Sequence, residues 1–189
     1  MSIKSTKLFC YIAFNTLESY LCNTPQNEEL VNSIPTDVYP LFVTFHIDKD
    51  RLRGCIGNLR GLSLRQGIPQ YALIASQRDH RFNPISKEEL PRLSVSVSLL
   101  VDYEEAANAL DWEVGKHGII IEYHGYSATY LPEVAREQGW DQKTTIKHLL
   151  QKAGVREAYT DSMLPEIKCT RYQSSIETLT WDEYERMKK

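Results

Sequence analysis

The chain has 189 residues, 42% of them hydrophobic, and carries 22 Lys and Arg against 25 Asp and Glu for a net charge of −3. That length suits a single domain, or a main domain with a small annex, and the apolar content is enough for a packed core, which excludes a disordered chain. The slightly acidic balance argues against nucleic-acid binding through bulk charge, and no apolar run reaches the length of a bilayer span, so no membrane role is expected.

Lys4 and Lys7 precede the apolar run Leu8-Phe9-Cys10-Tyr11-Ile12-Ala13-Phe14, which superficially resembles a signal peptide. The pattern instead continues amphipathically through Leu17, Tyr20 and Leu21 and predicts a packed helix. Residues 23–36 are polar and broken by Pro25 and Pro35, which predicts a connector. Cys10, Cys22, Cys55 and Cys169 lie far apart and form no CxxC pair. A reduced protein without disulfides is expected, cytoplasmic or also nuclear.

Residues 39–47 alternate apolar and polar, and Asp48-Lys49-Asp50-Arg51 reads as a four-residue hairpin loop. A second strand then follows over 52–59, containing Leu52-Arg53-Gly54-Cys55-Ile56-Gly57. In that register Ile47 faces Leu52, Phe45 faces Gly54 and Val43 faces Ile56, which builds one apolar face. His46 then lies opposite Arg53, and Thr44 opposite Cys55. His46 becomes a diagonal neighbour of Cys55, roughly 7 Å away. Gly57 is expected to leave open space beside the thiol, and Arg53 to supply a cation on its other side.

Ser63 is placed to cap a helix reaching about Gln77, with Leu64, Ile68, Tyr71, Ala72 and Ala75 as its buried stripe. The charged loop Arg78-Asp79-His80-Arg81-Phe82-Asn83-Pro84 follows, then Ser86 and Glu89 at capping-box spacing. Residues 93–101 alternate as a strand, with Ser94, Ser96 and Ser98 on its polar face. A brief helix is expected over 104–108. Ile119-Ile120-Ile121 and residues 127–131 read as a second hairpin, and Asp141 and Gly154 bound another helix. A strand near 167–172 and a helical turn over 181–187 complete the chain. Strands and helices mix without βαβ alternation, so the expected fold is α+β: a mainly antiparallel sheet flanked by helices, with a smaller β-containing subdomain within about 101–165 of a single 1–189 domain.

The LRGCIG run resembles the signature of the AMMECR family, the AMME-chromosomal-region proteins. Arg81-Phe82-Asn83-Pro84, Glu89-Leu90-Pro91, Gly115-Lys116-His117-Gly118, Ala128-Thr129-Tyr130-Leu131-Pro132 and Glu137-Gln138-Gly139-Trp140 resemble later family blocks in order, over nearly the whole chain. The resemblance implies an α+β fold with a larger and a smaller part, and no established activity. Its recurrence beside Memo-type and radical-SAM proteins implies an enzyme system and makes a Memo-type protein a candidate partner. His80 stands where family members often have Pro, so the resemblance gives it no role.

Cys55 and Arg53 are the candidate catalytic pair, because a neighbouring guanidinium favours thiolate, in redox or group-transfer chemistry. Against this stands the ordinary use of free Cys as a small apolar filler. Gly54 and Gly57 are expected to shape the site. Arg81, Lys116, His117 and His46 are expected to bind substrate, with Arg53, Arg81 and Lys116 converging on a carboxylate or phosphate rather than standing as solvated cations or pairing with Asp79. No phosphate-binding GxxxxGK loop, dinucleotide fingerprint, GxSxG elbow or HExxH pair is present, so no metal site is expected and no cofactor is specified. Three readings stand side by side: a Cys55 enzyme, a non-catalytic pocket sensing a small anion, and a protein-interaction adaptor.

Overall fold

Alternation at period two dominates the chain between 38 and 63, and the computed structural model, which describes residues 3–188, turns it into two long paired strands. These are β1 (Val38–Ile47) and β2 (Arg51–Ser63). With β3 (Leu93–Glu105), β4 (Gly118–Tyr123), β5 (Tyr126–Tyr130) and β6 (Lys168–Thr180) they form a six-stranded antiparallel sheet in the order β2-β1-β3-β6-β4-β5. The helices are α1 (Lys7–Cys22), α2 (Glu28–Asn32), α3 (Leu64–Gln77), α4 (Pro132–Gln138), α5 (Gln142–Ala153) and α6 (Trp181–Met187). The α+β class with a mainly antiparallel sheet is therefore what the chain adopts.

Two compact units are present: residues 3–100 with 175–188, and residues 101–174. In the first unit Leu41, Val43, Phe45 and Ile47 of β1 are buried, and α1 and α3 pack on the same unit. Phe14 of α1 is fully buried, with the rings of Phe45, Trp181 and Tyr184 at 6.1, 5.4 and 5.3 Å. The apolar stripe that predicts α1 is thus the one that meets β1 and α6. In the second unit Ile119, Ile121, Ile146, Leu149 and Cys169 form the centre of a separate cluster. Asp141 caps α5 by accepting from Thr144 N–H at 2.7 Å, and Gly154 ends it in the left-handed region at φ +97.

Four local expectations are corrected. The β1–β2 loop has three residues, Asp48 to Asp50, because Asp48 and Lys49 both take positive φ (+53 and +80) and turn the chain more tightly. The connector over 23–36 contains α2, whose N-terminus Asn27 caps by accepting from Leu30 N–H. The brief helix expected over 104–108 is absent, since β3 runs on to Glu105 and Ala106 N–H bonds Cys169 O at 2.9 Å. The strand expected near 167–172 extends instead to Thr180.

Candidate functional site

The shortened loop sets the register of everything near Cys55. Phe45 faces Gly54, Thr44 faces Cys55 and Val43 faces Ile56, as the alternation requires. A bulge then falls between Phe45 and His46, so that Arg53 becomes the extra residue and His46 lies opposite Leu52, not Arg53. On its other side His46 pairs with Ser94 of β3.

Arg53 reaches away from the thiol into the loop after α3. Its Nε and Nη2 donate to Glu89 Oε1 and Oε2 at 2.7 and 2.9 Å, Nη1 donates to Asn83 O at 2.7 Å, and Nη2 to Pro84 O at 3.2 Å. Glu89 also accepts the Ser86 N–H at 2.9 Å, closing the capping box whose spacing is visible in the sequence. Arg53 raises the fixed charge next to Glu89 and holds its carboxyl below the usual range, against the opposing effect of burial. With four bonds made and a side chain only 13% exposed, this guanidinium is a clamp on residues 83–89.

The sequence offers Asp79 only as an ion-pair partner for the cations, yet it is the polar centre of the site. Its side chain is 4% exposed. Oδ2 accepts the Cys55 backbone N–H at 2.9 Å and Arg81 Nη2 at 2.7 Å, while Oδ1 accepts Arg81 Nε at 3.0 Å and the Arg81 N–H at 3.2 Å. The Arg81 guanidinium holds the Asp79 carboxyl well below the usual carboxylate range; burial opposes this, and the two backbone N–H groups reinforce it. Arg81 Nη2 donates in addition to Cys55 O at 3.1 Å. Cys55 therefore has its N–H and its C=O held by one ion pair. The available signal was charge: residues 51–87 contain seven Lys or Arg and one acid, Asp79.

The Cys55 thiol is half-buried and accepts the Thr44 hydroxyl at 3.1 Å. The space expected over Gly57 is filled: a Cβ there would lie 2.2 Å from the Phe42 ring, so the glycine seats an aromatic from the facing strand. Gly54 serves the opposite face. A Cβ on it would come within 2.1 Å of the Ala75 carbonyl, so β2 and α3 approach backbone to backbone only because it is glycine.

A surface cleft of about 460 Å³ is bounded by Arg51, Leu52, Arg53, Arg81, Phe82 and Asn83. Arg51 and Arg81 are the exposed cations, with side chains 68% and 57% accessible. Arg51 donates to Asp48 at 3.0 Å, and Arg81 lies 5.4 Å from the Phe82 ring centroid. The loop carrying them is pinned at its ends, by Ile85 N–H to Ser76 O at 2.9 Å and Gln77 Nε2 to Ile85 O at 3.1 Å.

Of the residues predicted for the site, the structure thus brings Arg53, Gly54, Cys55, Gly57 and Arg81 together on β2 and its neighbouring loop. Lys116 and His117 belong to the 101–174 unit and have partners there. Lys116 Nζ bonds Glu113 at 2.9 Å, and Glu113 N–H donates to His117 Nδ1 at 3.0 Å. Burial, then the charges of Lys116 and Arg171, push the His117 imidazole below its ordinary value. No group of three His, Cys, Asp or Glu side chains suited to a metal ion occurs among the described residues.

Comparison with known proteins gives one family model, AMMECR1, matching residues 10–177. An uncharacterized protein of Arabidopsis thaliana, At2g38710, is 46% identical over 156 residues, covering 77% of this chain and 73% of that one. A second, C688.03c of Schizosaccharomyces pombe, is 38% identical over 185 residues and 94% of each chain. The crystal structure of the uncharacterized protein PH0010 from Pyrococcus horikoshii is similar with a TM-score of 0.68 at 25% identity, over 93% of both chains.

Proposed function

The chain belongs to the AMMECR1 family, and since membership alone assigns no activity, we propose from the geometry that it is an anion-recognising module. The ligand is a small molecule carrying a carboxylate or phosphate, held in the cleft at the start of β2. One observation carries this reading: Arg51 and Arg81 stand exposed at a cleft whose third arginine, Arg53, is fully committed to shaping the loop. Asp79 anchors Arg81 through Nε and Nη2, which leaves Nη1 directed elsewhere. A guanidinium held in this way is pre-organised, so less rotamer entropy is lost on binding an anion. Phe82 adds an apolar wall beside the charge.

Titration with inorganic phosphate and with succinate, followed through the arginine Nε–H signals, tests the reading. Arg51→Ala and Arg81→Lys are expected to weaken binding about tenfold each, or about 1.4 kcal/mol, and added salt to weaken it further. Arginine signals that do not move with either anion would remove the proposal.

Thiol chemistry at Cys55 is a second reading, favoured by one observation: its backbone is held on both sides and its sulfur by Thr44, so the thiol is presented at a fixed position. In a group-transfer step the sulfur would attack an electrophilic centre on the anion, its proton passing to solvent and the leaving group departing. Cys55→Ser separates the two: it abolishes covalent adduct formation while leaving anion binding intact.

A further inference from the structure

We propose that the outer edge of β2 around Gly57–Arg60 receives an extended acidic segment of another polypeptide as an added strand. This goes beyond the anion cleft and stands on different groups.

β2 is a terminal strand of the sheet, with β1 on one side only. In an antiparallel pair, backbone groups point alternately toward the partner and away from it. Cys55 directs both its N–H and its C=O away from β1, because these are the groups that Asp79 and Arg81 bond. Gly57 is two residues further along the same unbroken register, opposite Phe42, so its N–H and C=O also face outward. Among the described residues no loop or side chain bonds them. At Cys55 the Asp79 carboxylate accepts and the Arg81 guanidinium donates, as the C=O and N–H of a neighbouring strand would. The chain thus closes its own edge at Cys55 and leaves it open at Gly57. An exposed edge of this kind is a template for strand addition.

The surroundings specify the added strand. Beyond Gly57, Leu59 on β2 is 51% exposed and would take an apolar residue. Arg60 is exposed, and β2 carries no acid to offset it. An acidic partner matches that charge. A nucleic acid matches it less well: its phosphates accept hydrogen bonds, but its backbone has no N–H row to satisfy the outward C=O groups. The ladder is short, since Leu59–Gly61 bulge away from β1 between the Leu41/Asn58 and Tyr39/Leu62 pairs. Specificity therefore rests on Leu59 and Arg60.

The test uses the whole chain and a library of acetylated hexapeptides with Glu at alternate positions. Retained peptides are expected to slow hydrogen exchange of the Gly57 amide at least tenfold. N-methylation of alternate peptide amides should abolish binding, and Leu59→Glu or Arg60→Glu should weaken it at least tenfold. Arg51→Ala, which removes a cleft cation, should leave it unchanged, so this proposal and the anion reading fail separately. Retention of no peptide, binding that leaves Gly57 exchange unaltered, equal binding of N-methylated peptides, or displacement by a thymidine oligonucleotide at lower concentration than the peptide would each overturn it.

Discussion

Asp79 and Cys55 are joined without their side chains meeting: a buried carboxylate oxygen accepts the backbone N–H of Cys55 at 2.9 Å. The ion pair that orients Arg81 is therefore also the one that holds the Cys55 backbone on β2, so the proposed recognition would share a residue with stability.

Acid should expose that sharing. Asp79 has a folded pKa held far below its unfolded value by Arg81, and Glu89 is lowered by Arg53. A depressed folded value gives stability that is complete above the unfolded value, near pH 4 for a carboxylate, and is lost as pH falls toward the folded one. Urea unfolding is expected to show stability declining from about pH 5 downward. Asp79→Asn should cost about 1–3 kcal/mol at neutral pH and flatten the decline. An unaltered acid slope in that variant would show that Asp79 does not contribute it.

Arg53→Lys keeps the charge and loses the planar fork that reaches Glu89, Asn83 and Pro84. The expected cost is about 2–3 kcal/mol, with the loop over 78–84 loosened first. Limited trypsin digestion should then cut after Arg78 or Arg81 faster than in the unaltered protein, while the rest of the chain stays resistant.

Gly54→Ala and Gly57→Ala should both destabilise, by about 1–3 kcal/mol or more, yet they should respond differently to a second change. Gly54 faces the Ala75 carbonyl, which no trimming of side chains can move. Gly57 faces the Phe42 ring as well as Leu41 O, so Phe42→Ala should recover part of the loss at Gly57 and none at Gly54. Equal recovery at both positions would contradict the packing described.

Thiol labelling should divide the cysteines by burial. Desolvation pushes Cys10 up to about 12 and Cys169 up to about 11, and both are buried. Cys22 and Cys55 are partly exposed. Iodoacetamide at neutral pH is expected to modify these two while sparing the others until the protein unfolds. Labelling of Cys10 in folded protein would show that α1 opens.

Strand alternation and two helix caps are legible because each is a local pattern: β1, the β4–β5 hairpin, the Ser86/Glu89 box and the Asp141 cap all follow from spacing, whereas Ser63 precedes α3 without a side-chain capping bond. The register at His46 was not, since it turns on two left-handed residues, Asp48 and Lys49, neither of which is glycine. Gly57 was read as an opening when it is the seat of Phe42, because a missing side chain looks the same in a sequence whether the space is empty or filled from across the sheet. Arg53 was assigned to Cys55 by proximity in the chain, whereas its partners lie 30 to 36 residues away. Asp79 is legible as an ion-pair partner for a cation, but its bond to the Cys55 N–H, 24 residues away in sequence, is not.

The first unit is assembled from the two ends of the chain. Ser5 N–H bonds Ser175 Oγ, the Cys10 thiol bonds Glu177 O, and Lys7 and Glu18 pair with Glu183 and Lys188. These contacts join residues 167 to 176 positions apart in sequence. During synthesis α1 is made long before α6, so Phe14 waits for Trp181 and Tyr184 to arrive and cover it. Until then an apolar helix face stays open to solvent, the state in which nascent chains aggregate or engage chaperones. Closing so long a loop also makes folding slow for the size of the unit.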